Sequence, residues 1–88
     1  LTFLNEYAIN EVMMAIVMYS KKDCSFCDKA RELLRAQGKF FIEYKLDTDF
    51  SRETLKALFP TAKTFPVITI NGDYIGGYAE LEKLMNDK

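Results

Sequence analysis

Two cysteines, Cys24 and Cys27, stand three positions apart where an apolar run ends and a helical pattern begins, and they are the only cysteines in 88 residues. Ala15 to Tyr19 is continuously apolar, as a strand covered on both faces would be. Ser20-Lys21-Lys22-Asp23 is a polar loop. From Ser25 to Gln37 the positions Ala30, Leu33 and Leu34 recur at helical spacing, and Gly38 stops the helix. The cysteines therefore fall in the first turn of a helix that follows a strand. Thiols at i and i+3 in that turn can close into a disulfide, and the positive helix end favours the thiolate of the first. Cys-x-x-Cys in this context reads as a thiol–disulfide redox site. The competing reading is a pair of buried structural cysteines.

The remainder of the chain supplies a scaffold for that pair. Phe40 to Leu46 reads as a second strand and Asp47-Thr48-Asp49 as a turn. Ser51 is an N-cap for a short helix that buries Leu55, Leu58 and Phe59 and ends at Pro60. Pro66 to Ile70 forms a third strand, with the proline at its start because it cannot donate to a ladder. Asn71-Gly72 signals a hairpin into a short strand at Tyr74-Ile75. Gly76-Gly77 breaks that strand, and Leu81, Leu84 and Met85 mark a closing helix. The order β-α-β-α-β-β-α predicts an α/β domain over residues 14–88, with one four-stranded mixed sheet flanked by three helices. Its first unit is a parallel crossover and its last pair an antiparallel hairpin. The cysteines then lie at the carboxyl end of the first strand, where open α/β sheets place their sites. Residues 1–13, with weak helical spacing at Leu1, Leu4, Ala8 and Val12, read as an N-terminal extension, Met13 and Met14 being plausible starts of the core.

Charge and composition narrow the chemistry. The formal net charge is −1 and the lysines and acids are interspersed, so neither nucleic acid nor an anionic membrane is an expected partner. The longest apolar run, Val12 to Tyr19, is too short to span a bilayer. No basic stretch leads into an apolar run and a small-residue cleavage site. The expectation is a cytoplasmic monomer whose thiols are redox-active rather than a permanent staple. The chain has no histidine, which excludes Cys–His and Ser–His–Asp catalysis. Two cysteines without histidine also cannot complete a structural zinc site within one chain.

Three separated motifs then fall together: Tyr19-Ser20-Lys21 ahead of Cys24-Ser25-Phe26-Cys27, then Thr64-Phe65-Pro66, then Ile75-Gly76-Gly77-Tyr78. In order and spacing, over residues 15–86, the chain resembles a dithiol glutaredoxin. That resemblance implies a thioredoxin-like fold, with glutathione as co-substrate and glutathionylated or disulfide-bonded proteins as partners. It makes Cys24 the nucleophile and Cys27 the resolving thiol. It implies a cis bond before Pro66, where the residues alone favour an ordinary trans strand start. Phe65 then offers its main-chain N–H and C=O to the cysteinyl part of glutathione, beside Thr64. Gly76-Gly77, Tyr78 and the following helix N-terminus take the γ-glutamyl end, with Glu80 toward its ammonium; without the family they read as a plain turn. Lys21 pairs with the glycyl carboxylate, and Lys63 either assists or is only surface. Phe26 either flanks the tripeptide or packs against the protein.

The chain also departs from the family pattern. Phe65 replaces a valine, Phe26 a tyrosine, and Ala79 one of two acids. Ser25 and Lys22 stand where prolines are common. Ser25 thereby regains a backbone N–H, expected to reach the Cys24 sulfur. Lys21 favours the thiolate, while Asp23 and Asp28 oppose it. Within the family, loss of the active-site proline accompanies members that hold a [2Fe–2S] cluster between two subunits and two glutathiones, which would make Cys24 a ligand and the chain a glutathione-ligated cluster carrier. The other alternative is a redoxin served by thioredoxin reductase that feeds ribonucleotide reductase.

Overall fold

Ile16, Met18 and Ser20 alternate along one face of the first strand and are each at most 2% exposed, so a single helical layer packs there. A computed structural model describes this arrangement for residues 14–86. The N-terminal extension read at 1–13 lies outside the described residues. The elements are β1 (Ile16–Ser20), α1 (Ser25–Ala36), β2 (Phe41–Lys45), α2 (Arg52–Leu58), β3 (Val67–Ile70), β4 (Asp73–Gly76) and α3 (Tyr78–Asn86). The sheet runs β2-β1-β3-β4. β1 pairs parallel to β2, with Ile16 beside Phe41, and antiparallel to β3, with Ile16 beside Ile70. β3 and β4 form the antiparallel hairpin. This is the thioredoxin-like α/β arrangement.

Local chemistry explains the boundaries. α1 ends where Gly38 takes φ +67, with its N–H donating to the Arg35 carbonyl and that of Lys39 to the Leu34 carbonyl. Those two bonds form a Schellman closure, which a residue without Cβ adopts cheaply. Ser51 caps α2 by accepting from the Thr54 N–H at 3.1 Å. Asn71 and Gly72 both take positive φ, +54 and +87, as a type I′ hairpin turn requires. Asn71 also ties the hairpin to the start of β1. Its Oδ1 accepts from the Ala15 N–H at 2.8 Å, and its own N–H donates to the Ala15 carbonyl at 2.9 Å.

The core joins Ile16, Met18 and Ile68 of the sheet to Ala30 and Leu34 of α1 and to Leu81 and Met85 of α3. β1 is covered on both faces, but unequally, Val17 and Tyr19 being only half-buried. Aromatic rings cover that second face. Tyr19 lies 5.6 Å from Tyr44 and 5.3 Å from both Phe50 and Phe59, centroid to centroid. Two expected core residues are also exposed, Leu58 at 57% and Leu84 at 44%. α2 has only seven residues, and Phe59, just past its end, turns toward the sheet in place of Leu58. On α3 the buried stripe is Leu81 and Met85, one helical turn apart, with Leu84 on its flank.

Leu34→Ala should therefore lower stability by about 2–5 kcal/mol, the range for a large-to-small change in a closed core. Leu58→Ala should stay within about 0.5 kcal/mol of the parent. Urea unfolding midpoints read both, and equal losses at the two positions would refute this core assignment.

Candidate active site

β1 delivers Ser20 to its carboxyl end, and the next three residues turn the chain into α1. Asp23 takes the left-handed φ of +56, and Cys24 is extended (φ −121, ψ 103) as the N-cap of the helix. Its sulfur does what a serine or aspartate oxygen does at a helix start, accepting from the Cys27 N–H at 3.1 Å. The expected donor, Ser25, does not make this bond. A cap side chain reaches the N–H two or three residues on, and Ser25 is the first helical residue. Cys24 and Cys27 are joined as a disulfide, with Cα atoms 5.2 Å apart. Cys27 is 0% exposed and Cys24 9%, and only Cys24 lines the adjacent cleft.

That cleft, of roughly 380 Å³, gathers residues from three segments: Lys21, Cys24 and Phe26 from the cysteine loop, Arg52 from the start of α2, and Lys63 to Phe65. The Phe65–Pro66 peptide is cis, and Pro66 is buried. The Phe65 ring organises the cations. Lys21 Nζ sits 5.7 Å and Arg52 Cζ 5.9 Å from its centroid, within cation–π range. The ring also stacks on Phe50, 6.4 Å centroid to centroid. The phenylalanine that stands at the family's valine thus brings an aromatic side chain to the cleft. Phe26 is 53% exposed. Its ring lies 6.0 Å from that of Tyr78, with Lys29 Nζ 5.2 Å above it.

Sequence reasoning passed over Arg52. One signal was available: a cation in the first turn of a helix opposes the macrodipole and so calls for another reason to be there.

The second corner is built by Gly76, Gly77 and the start of α3. Glu80 Oε1 accepts from the Gly77 N–H at 2.8 Å, the reach-back half of a capping box. The Gly77 N–H, with Glu80's own N–H, holds this carboxyl below its ordinary pKa. Gly76 has φ +127, and a Cβ there would lie 2.6 Å from Glu80 Cγ. A Cβ on Gly77 would lie 3.2 Å from the Pro66 carbonyl oxygen. The glycine pair therefore serves close approach within the chain itself, and brings Tyr78 and the α3 N-terminus beside Thr64 and Pro66.

Under the cysteine loop runs a charge network. Arg31 grips Glu43 with two bonds, Nε to Oε1 at 2.9 Å and Nη2 to Oε2 at 2.6 Å, and reaches Asp28 Oδ1 with Nη1 at 2.8 Å. The Ser20 hydroxyl donates to Glu43 Oε2 at 2.6 Å. Hydrogen bonds from Arg31, and secondarily from Ser20, outweigh partial burial and pull the Glu43 pKa down to about 2. Asp28, one turn beyond Cys24, has its charge answered by Arg31. Among the described residues no three metal-ligating side chains converge.

The chain matches the family model described as glutaredoxin over residues 16–75. It is 37% identical over 67 residues to a probable glutaredoxin of Synechocystis, covering 75% of this chain and 62% of that protein. It is 35% identical over 74 residues to a hybrid peroxiredoxin of Haemophilus influenzae, covering 84% of this chain and 30% of that protein. The chain thus spans less than two thirds of either relative. Among solved structures, a buckwheat glutaredoxin–glutathione complex aligns with a TM-score of 0.68 at 26% identity, covering 94% of this chain and 80% of that one.

The Glu43 network has a pH signature. Its folded pKa is depressed from 4.5 to about 2, so its contribution is whole above 4.5 and is lost as pH falls from there toward 2. Glu43→Gln should lower the melting temperature at neutral pH and flatten its decline across that acid window. An acid limb as steep as the parent's would show that the network does not stabilise the fold.

Proposed function

The chain belongs to the glutaredoxin family, a family of thiol–disulfide oxidoreductases, and we propose that it uses glutathione to reduce protein–glutathione mixed disulfides through Cys24. The observation that carries this reading is the convergence of the Cys24 sulfur, capped by a helix N–H, with Lys21 and Arg52 over the Phe65 ring in one cleft. Glutathione has two carboxylates and one ammonium. Lys21 and Arg52 suit its glycyl carboxylate. The Phe65 backbone suits its cysteinyl unit, as an added strand. Because Glu80 occupies the Gly77 N–H, the N–H groups of Tyr78 and Ala79 are left for the γ-glutamyl carboxylate, and the second oxygen of Glu80 suits the ammonium.

The chemistry needs a thiolate and alignment, and no histidine base. Cys24 thiolate attacks the glutathione sulfur of the mixed disulfide. The S–S bond breaks, and the protein thiolate leaves with the electron pair and takes a proton from solvent. A second glutathione thiolate then attacks the glutathione sulfur on Cys24, forming glutathione disulfide and returning Cys24 as thiolate. Alternatively Cys27 attacks the Cys24 sulfur and expels glutathione, giving the Cys24–Cys27 disulfide, which two glutathiones reduce. Cys27 is fully buried, so it can resolve a bond on Cys24 but cannot itself meet a protein substrate. An iron–sulfur cluster would need Cys24 from two chains and the thiolates of two glutathiones, since each chain offers one thiolate at the cleft and no histidine. No step is routed through one.

Turnover of a glutathionylated substrate with glutathione and glutathione reductase tests this reading. Cys24→Ser should abolish it. Cys27→Ser should keep it while losing reduction of dithiol protein disulfides. Equal inactivity of the two variants, or rapid reduction by thioredoxin reductase with no glutathione-dependent turnover, would sink the proposal. Arg52→Ala should raise KM for the glutathionylated substrate about three- to tenfold with kcat within about twofold, as loss of uniform binding predicts.

A further inference from the structure

We propose that the polar trough between α1 and β2 seats an acidic segment of the protein substrate, within a few residues of its target cysteine. This deepens the reading above and rests on exchange at Cys24. The trough, of about 970 Å³, shares Lys21, Asp23 and Arg52 with the cysteine cleft, so the two are continuous. The smaller cleft suits a tripeptide, and the trough extends well beyond it.

Its wall on α1 is Asp28, Arg31 and Arg35, while Cys24, at the head of the same helix, lines the adjoining cleft. Cys24, Asp28, Arg31 and Arg35 fall at i, i+4, i+7 and i+11, one face of the helix. Lys45 of β2 lines the opposite side. From Cys24 to Arg35 the helix rises about 16 Å, a length spanned by about five extended residues. A substrate whose sulfur meets Cys24 would thus bring its nearer neighbours beside Lys45, which pairs with Ser20 in the sheet register, and its fifth beside Arg35.

Charge identifies the class of segment. Six cations and four carboxylates line the trough, in a chain whose formal net charge is −1. Arg31 alone answers two of the carboxylates, Asp28 and Glu43. Among the described residues Lys21, Lys22, Arg35, Lys45 and Arg52 make no ion pair. Arg31 brings one charge against two, so with Asp23 and Asp47 the lining keeps a net charge of +2, six cations less four carboxylates. An excess of uncommitted cations beside the reacting sulfur favours acidic partners and penalises basic ones, chiefly through encounter rate.

The test uses the reduced chain and single-cysteine peptides carried as mixed disulfides with thionitrobenzoate. Cys24 thiolate attacks the peptide sulfur, the S–S bond breaks, and thionitrobenzoate leaves as a coloured thiolate. A peptide with glutamates three to five positions from its cysteine should react about tenfold faster than its lysine counterpart at low salt, and the gap should close as salt rises. The double variant Arg35→Glu/Lys45→Glu should remove or invert the gap while leaving exchange with the neutral mercaptoethanol–thionitrobenzoate disulfide unchanged. Arg35→Gln/Lys45→Gln, milder to the fold, should narrow it. Equal rates for the two peptides, or a gap that survives both double variants, overturns the proposal. Because this exchange needs no glutathione, a chain that keeps the gap yet fails to turn over glutathionylated substrate with glutathione would refute the preceding reading and sustain this one.

Discussion

The N–H of Cys27 pointing at the sulfur of Cys24 is the contact on which this protein turns. It exists because β1 ends one short loop before α1, so that the first cysteine becomes the cap of the helix and the second lies one turn inside it. A single backbone geometry therefore sets the two sulfurs apart. The capping sulfur meets the positive end of the helix and lines the cleft, while the inner sulfur is sealed in the core. Packing holds that geometry in place. Met18 and Ile68 of the sheet are clamped by Ala30 and Leu34 of α1, so the helix that carries the cysteines cannot shift without opening the centre of the domain.

Around this axis the chain manages charge by proximity. Arg31 ties α1 to β2 through Glu43 and also answers Asp28, a carboxylate that would otherwise stand free near the reacting sulfur. Glu80 is spent on its own helix, capping α3 through Gly77. What stays uncommitted near Cys24 is mostly positive, and two of those cations gather over the Phe65 ring. The same ring stacks on Phe50, which belongs to the aromatic cover of the sheet's second face. Site and scaffold share this cluster.

The fold was largely legible because its signals are local. Alternating and helical periodicity, a Schellman glycine at 38, a serine cap at 51 and an Asn-Gly turn at 71–72 each state an element boundary with neighbours only a few residues away. The misreadings came where burial depends on distant partners. The apolar run of β1 does not say that one face meets two helices while Tyr19, on the other, meets the rings of Tyr44, Phe50 and Phe59. Leu58 and Leu84 sit at helical spacing, yet among the described residues they stay exposed, while Phe59 and the Leu81–Met85 stripe turn inward.

The sequence alone determined that two thiols would stand at a strand-to-helix junction, since that needs only the spacing of cysteines and apolar residues along the chain. It also determined that no histidine takes part. Tertiary structure decided which N–H meets the Cys24 sulfur, how Arg52 joins Lys21 across a gap of thirty-one residues, and that Glu80 and the glycine pair serve α3. It decided as well that cations from α1, β2 and α2 line one trough beside the cysteine. The physical reason is common to all of these. A cap, an ion pair or a ring-centred cluster is a distance between atoms, and only the closed sheet and its helices set those distances.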